Sequence, residues 1–232
     1  MKLAIMQPYF LPYIGYFQLI AAVDMFVVYD NIKYTKKGWF NRNRMLQNGT
    51  DAMFSLPLKK DSDALNVVQR ELAVNFERDK LLKQFRGAYA SAPNFAHTWP
   101  VLERIVNCEE SNLFRYINRS IGELCAHLDI RTEIRISSDV PIDHSKKSQD
   151  KVLAICRALG ASRYLNPIGG LELYDRGTFL QHGIELQFFR STPMEYTQLG
   201  MPFVPGLSMI DVMMLNAPDK VRAMVREGYE LV

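Results

Sequence analysis

Leu3-Ala4-Ile5-Met6-Gln7-Pro8 and, one helical span later, Asp24-Met25-Phe26-Val27-Val28-Tyr29 are the stretches that decide the fold. The first is a short apolar run halted by proline, which has no N–H to give to a central ladder, so it reads as a buried strand entering a loop. The second is apolar at every position from Met25 to Val28, the pattern of a strand covered on both faces, as in a parallel sheet. Between them, Ile14, Phe17, Leu19, Ile20 and Val23 fall on roughly one side of a helix over Tyr13 to Val23. The chain therefore opens strand, loop, helix, strand.

Outward from this unit, Phe54 to Leu58, Thr132 to Ile136, Arg163 to Asn166 and Ile184 to Phe189 read as further strands bounded by turn residues or helical patterns. Helices are expected over Glu77 to Ala90, Ser111 to Leu128, Ser148 to Leu159, Leu171 to His182 and Pro218 to Gly228. Alternation of this kind with short connections implies an α/β fold, a mostly parallel sheet with helices on both faces. Residues 1–232 form one such domain in this reading, and residues 61–128 a helical insertion or cap over the sheet. In such sheets ligands collect beyond the carboxyl ends of the strands.

At 232 residues and 48% hydrophobic positions the chain is long enough to bury a core without disulfides or a structural metal. Its 28 lysines and arginines against 25 acidic residues leave a formal charge of +3, too small and dispersed to argue for DNA. Cys108, Cys125 and Cys156 are an odd, widely spaced set and read as reduced core thiols. The apolar start is interrupted at Gln7-Pro8 before a signal-peptide core of adequate length, and no window approaches the roughly 18 apolar residues of a membrane span. The expected location is the cytoplasm.

Two segments carry unusual chemistry. Gln7-Pro8-Tyr9-Phe10-Leu11-Pro12-Tyr13-Ile14-Gly15-Tyr16 is a proline-bracketed loop between the first strand and helix. Gly15 in the first helical turn lets a ligand approach the backbone, the helix start favours an anion, and Tyr9, Tyr13 and Tyr16 offer hydroxyl donors or stacking faces. The competing reading is that these rings pack the loop on the sheet. After the second strand, Asp30 at a strand end suits a metal or a sugar hydroxyl, and Tyr34, Trp39, Asn41, Arg42, Asn43 and Arg44 crowd one connection. Arg42 and Arg44, two apart, suit a forked grip on phosphate or carboxylate, with Asn41 and Asn43 on the opposite face of an extended backbone.

Two more loops add candidates. In Asp143-His144-Ser145-Lys146-Lys147-Ser148, His144 is the best general base among the four histidines, while Lys146 and Ser148 could hold an anion at a helix start. Asn166-Pro167-Ile168-Gly169-Gly170 leaves a strand and opens a helix, although Gly169 and Gly170 are explained equally well by a tight turn. No Walker loop, G-x-G-x-x-G, G-x-S-x-G elbow or metal-spaced His/Cys cluster is present, and no metal site is expected.

Taken in order, Ile5-Met6-Gln7-Pro8-Tyr9-Phe10, Tyr13-Ile14-Gly15-Tyr16-Phe17, Phe26-Val27-Val28-Tyr29-Asp30, Trp39-Phe40-Asn41-Arg42-Asn43 and Asn166-Pro167-Ile168-Gly169-Gly170 resemble the WbqC-like family. That resemblance implies a setting among bacterial surface-polysaccharide and O-antigen biosynthesis proteins. In layout, Pro12-Tyr13-Ile14-Gly15-Tyr16 is also similar to nucleotidyltransferase-like (HUP-like) enzymes whose H-x-G-H signature binds nucleotide phosphates, but tyrosines replace both histidines. Lys146-Lys147-Ser148 would be the counterpart of their second phosphate loop.

The leading expectation is an enzyme transferring an acyl or aminoacyl group to an amino or nucleotide sugar. Arg42, Arg44 and Lys146 would stabilise phosphate charge, and His144 or Asp30 would take the amine proton. Its cofactor is left open between ATP with Mg²⁺ and an acyl-coenzyme A. The alternative is a non-catalytic carrier of a nucleotide sugar or glycan intermediate. RNA or tRNA handling, suggested by Lys33, Lys36, Lys37, Arg42 and Arg44 among Tyr34 and Trp39, ranks last on the near-neutral charge. Oligomeric state is not legible.

Overall fold

The computed structural model describes residues 1–192, 194–200 and 202–232. In chain order its elements are β1 (Lys2–Met6), α1 (Ile14–Ala21), β2 (Met25–Val28), β3 (Arg42–Gln47), β4 (Thr50–Ser55), α2 (Arg78–Tyr89), α3 (Phe95–Val106) and α4 (Leu113–His127). There follow β5 (Glu133–Ile136), α5 (Ser148–Ala158), β6 (Arg163–Pro167), α6 (Arg176–Gln181), β7 (Glu185–Ser191), α7 (Met209–Leu215), α8 (Pro218–Glu227) and β8 (Tyr229–Leu231).

Six strands form one sheet in the order β5-β2-β1-β6-β7-β8. The first five run parallel, and β8 joins antiparallel at the edge. Alternate side chains of the central strands enter two different cores. Leu3, Ile5, Met25 and Val27 pack with Val152 and Ile155 of α5 and Phe179 of α6. Ala4, Phe26 and Val28 pack with Phe17 and Ile20 of α1 and Val221 and Val225 of α8. The fold is therefore α/β with a mostly parallel sheet and helices on both faces, as the opening runs imply. The chain moves outward from β1 through β2 to β5 and then returns across the sheet to β6, so strand order reverses between β1 and β6. Crossovers leave that gap in opposite directions, which opens a crevice at the carboxyl ends of these two strands.

Between β2 and β5 the chain builds a hairpin and three helices that share the α1-side core. The β3–β4 hairpin turns through Asn48 and Gly49, both at positive φ (52° and 76°), the conformation that Asn-Gly favours in a two-residue turn. Phe54 and Ser55 end β4, so the strand read over Phe54 to Leu58 is displaced: β4 pairs with β3, and Leu58 makes an isolated bridge with Leu72. Tyr89 ties hairpin to helices: its hydroxyl accepts from the Leu46 N–H (3.0 Å) and donates to the buried Asp211 carboxylate (2.8 Å). Tyr196 Oη and Gln198 Nε2 donate to the other Asp211 oxygen at 2.7 and 2.9 Å. Among the described residues, no helix is long and apolar enough to cross a membrane.

Candidate functional site

At the crevice between β1 and β6 lies a cleft of about 980 Å³. Its walls come from four strand ends and loops distant in sequence: Met6, Gln7 and Tyr9 after β1; Tyr29, Asn31 and Lys33 after β2; residues 144–148 with Lys151 at the start of α5; and Asn166, Gly169, Gly170 and Tyr174 after β6. Sheet order, not sequence proximity, brings them together. Lys33, Lys146, Lys147 and Lys151 all line the cleft, and among the described residues no Asp or Glu does. Asp143 and Asp150 belong to the same loop and helix but lie outside the lining. A concave surface with four ammonium groups and no carboxylate favours an anion.

Lys151 is the deepest of the four, only 4% exposed. Its Nζ donates to Asn31 Oδ1 (3.1 Å) and lies 4.9 Å from the centre of the Tyr29 ring. Burial pulls its pKa down, and the nearby Asp30 opposes that shift. Because lysine only donates, Asn31 Oδ1 must face it, which turns Asn31 Nδ2 towards His144 Nδ1 at 3.0 Å. Nδ1 is then the acceptor, and Nε2 carries the hydrogen given to the Val140 carbonyl at 3.0 Å. One lysine thus fixes the amide and the imidazole tautomer together. Both ring nitrogens of His144, the expected base, are engaged.

Asp30 sits behind this network, fully buried and outside the cleft lining. Its Oδ1 accepts from Ser137 Oγ (2.7 Å) and from the Ser138 N–H (2.9 Å), while Oδ2 is buried without a hydrogen-bond partner. Ser137 Oγ is also 2.9 Å from Asn31 Oδ1, linking Asp30 to the lysine. The helix read from Ser148 does start there: Ser148 has φ 46°, and the preceding Lys147 makes no side-chain cap, so the first-turn N–H groups of α5 carry no side-chain partner on the cleft side.

The tyrosine loop splits between two cavities. Tyr9 Oη donates to Gln7 Oε1 (3.1 Å) and Tyr16 Oη to the Gln7 carbonyl (3.0 Å), so both rings order the strand end. Burial, with Tyr13 adding to it, pushes the Tyr9 phenol up to about 12, and burial raises Tyr16 well beyond the ordinary value; both act as neutral donors. Tyr13, Gly15 and Tyr16 line a second cavity of about 350 Å³ with Arg190, on the α1 side of the sheet. Met6, Pro167 and Gly169 line both cavities. A Cβ at Gly15 would collide with the Tyr13 ring, whereas one at Gly169 would meet nothing within 4 Å. Gly15 is thus required by packing, and Gly169 is a bare saddle between the cavities. Gly170 has the other reason: a side chain there would strike Asn166, which is buried and holds Tyr164 Oη at 3.1 Å.

The residues from Tyr34 to Arg44 form a separate group away from both cavities. Asn43 donates to the Leu11 carbonyl (2.8 Å), and Asn41 bridges the Tyr34 hydroxyl (2.9 Å) and the Leu56 carbonyl (2.7 Å). Arg42 donates to the carbonyls of Gly38 (3.0 Å) and Lys37 (2.6 Å), and Arg44 pairs with Asp51 (3.3 Å) and reaches the Gly206 carbonyl (3.2 Å). Both guanidiniums lie over Trp39, at 5.6 and 5.8 Å from its ring. The alternation expected along Asn41 to Arg44 is present, but the two arginines are spent on loop carbonyls and a tryptophan. Lys151, Tyr29, Asn31 and Tyr174 complete the cleft and were not singled out in the sequence; a lysine one turn into a helix whose start faces a strand-end crevice was the available signal for Lys151. All three cysteines are buried and unpaired, with burial pushing Cys125 and Cys156 up to about 12. Among the described residues, no cluster of three or more His, Cys, Asp or Glu could hold a metal ion.

The chain is 27% identical over 227 residues to "Uncharacterized protein Rv1507c" of Mycobacterium tuberculosis (strain ATCC 25618 / H37Rv), covering 95% of this chain and 97% of that protein. No solved structure matches the chain. The description of the WbqC-like protein family matches residues 7–223, a span that includes nearly every wall of the cleft. The chain belongs to the WbqC-like protein family.

Proposed function

We propose that the chain is an enzyme of bacterial surface-glycan biosynthesis that transfers an acyl or aminoacyl group to an amino or nucleotide sugar held in the lysine-lined cleft. The observation that carries this reading is the placement of Lys33, Lys146, Lys147 and Lys151, without a carboxylate, at the strand-order reversal. The biological setting comes from the family resemblance; the substrate's negative charge comes from the cleft. Gln7, Tyr9 and Asn166 offer amide and phenol groups to sugar hydroxyls, and the bare backbone at Gly169 admits a ring close to the strand ends. In the transfer, the acceptor nitrogen attacks the acyl carbonyl, the carbon–leaving-group bond breaks, and the amine proton passes to a base. His144 takes that role if the incoming amine replaces Asn31 on Nδ1; Lys146 and Lys151 offset the negative charge of the substrate and of the tetrahedral oxygen. Asp30 acts from behind by ordering Ser137 and Asn31.

A second reading, a non-catalytic carrier of nucleotide sugars, is favoured by one specific feature. Both nitrogens of His144 are already engaged in the fold, and Asp30 is fully buried with Oδ1 held by Ser137 and Ser138. The two readings separate in one experiment: UDP- and dTDP-amino sugars are incubated with the protein and either acyl-coenzyme A or ATP, Mg²⁺ and an acid. Mass spectrometry of the sugar shows a gain of one acyl group if the transferase reading holds. Recovery of bound, unchanged sugar with every donor leaves the carrier.

A further inference from the structure

We infer that the cleft seats the diphosphate of a diphosphate diester, as found in nucleotide-activated sugars and in coenzyme A, directly on lysine ammonium groups and the start of α5, without a divalent cation. The inference rests on the proposed reading of this cleft and narrows it, since a magnesium-bound triphosphate was an equal candidate on sequence alone.

The argument is one of charge and donors. A diphosphate diester carries two negative charges, and Mg²⁺ is held in phosphate sites by carboxylates together with phosphate oxygens. This cleft has four lysines in its walls and no carboxylate. Asp30, the nearest buried acid, points one oxygen at Ser137 and Ser138 and keeps the other sealed from the cleft, so it is placed to balance Lys151, not to hold a metal in the cavity. A magnesium ion would find neutral amide and hydroxyl oxygens but no carboxylate in this lining, and its charge would compete with the ammonium groups for the ligand.

The lysines are also arranged for a specific job. Lys146 and Lys147 stand exposed on the loop immediately before α5, and Lys147 precedes a first turn whose N–H groups have no side-chain cap. Lys151, one turn further along the same helix, is anchored by Asn31 and the Tyr29 ring with little freedom left to lose on binding. Fixed cation below, exposed cations above and N–H groups without a side-chain cap between them make a seat for a group with several anionic oxygens. Tyr29 and Tyr174 face the same cavity and supply apolar surface for the ring beyond the phosphates.

The test is calorimetric titration of the intact chain with inorganic pyrophosphate, UDP-N-acetylglucosamine, coenzyme A and ATP, each in EDTA and again in excess Mg²⁺. The expected result is binding of pyrophosphate and at least one of the two diesters in EDTA, weakened when Mg²⁺ is added. The diester that binds more tightly names the source of the diphosphate. Lys147→Ala and Lys146→Ala, both at exposed positions, are each expected to weaken binding about tenfold, the factor carried by one charge-assisted hydrogen bond; Lys151→Met should weaken it further. Binding that requires Mg²⁺, wild-type affinity in Lys147→Ala and Lys146→Ala, or no pyrophosphate binding would each overturn the inference. The proposed transfer activity is read separately, from acyl gain by the sugar, so metal-free binding without transfer sinks that reading alone, and transfer through a magnesium-dependent cleft sinks this one alone.

Discussion

Asn31→Leu removes the one side chain that joins Lys151, Ser137 and His144 while keeping its approximate volume. The bond to Lys151 Nζ is to a charged donor and is worth about 1.5–3 kcal/mol, and the exposed bond to His144 Nδ1 adds up to about 0.5–1.5 kcal/mol; Ser137, whose one hydroxyl hydrogen goes to Asp30, adds no separate bond. A leucine at a half-buried site returns part of this through apolar contact. The expected net loss is about 2–3 kcal/mol, dominated by an ammonium left without its oxygen. For a domain of this size that corresponds to about 4–12 °C in Tm. Urea unfolding followed by far-ultraviolet circular dichroism measures it, with Lys151→Met and the double variant completing a cycle. Because both residues serve one contact, the double variant should lose less than the sum of the singles by at least about 1 kcal/mol. Additive effects, or a loss in Asn31→Leu below about 0.5 kcal/mol, would refute the reasoning that Asn31 is the hub.

Gly169→Val fills the saddle between the two cavities at a position where a side chain meets nothing, so unfolding free energy should stay within about 0.5 kcal/mol while nucleotide-sugar affinity falls, as read by denaturation and titration side by side. Arg42→Ala should release the loop over residues 37–41 and cost about 1–3 kcal/mol in urea unfolding, yet leave anion binding in the cleft unchanged. Burial raises the Asp211 carboxyl above its ordinary 3.8, so the folded state keeps that proton to higher pH than the unfolded chain. Its contribution to stability therefore falls as pH rises from about 4 through the folded pKa, and Asp211→Asn should flatten that part of a stability-against-pH curve. The buried phenols of Tyr16, Tyr89 and Tyr164 are all raised. By the same sign they support the fold below pH 10 and lose that support above it, which an alkaline unfolding titration reads.

How far the sequence could be read depends on how local the signal is. β1, α1 and β2 were legible because each carries its own pattern: a continuous apolar run, a one-sided helical face, and another run. β3 was not, since Arg42-Asn43-Arg44 alternates polar groups and resembled a working loop; Asn48-Gly49, a strong local hairpin signal, sat unused between β3 and β4. α3 was hidden by Pro100 inside it, α7 by its brevity, and β8 by three residues that form a strand only beside β7. In the candidate site, Gln7, Tyr9, His144, Lys146, Ser148, Asn166, Gly169 and Gly170 were named from loop chemistry and meet in one cleft. The arginines of the hairpin were named on the same grounds; Arg42 is turned onto the carbonyls of its own loop and Arg44 onto Asp51 and the distant Gly206 carbonyl, because which acceptors a guanidinium will find depends on the folded path of the chain. Lys151 was not named as a site residue, because only the return of the chain from β5 to β6 lays it under the end of β2.

Differential acetylation of lysines, mapped by mass spectrometry with and without UDP-N-acetylglucosamine or coenzyme A, tests most directly where an anionic ligand sits. Lys146 and Lys147 line the cleft at the start of α5, whereas Lys36 and Lys37 lie outside its lining in the connection before β3. The account predicts protection of Lys33, Lys146 and Lys147 on adding ligand, with Lys36 and Lys37 as reactive as before. Protection at Lys36 and Lys37 with the cleft lysines unchanged would contradict it and move the binding surface to the loop around Trp39.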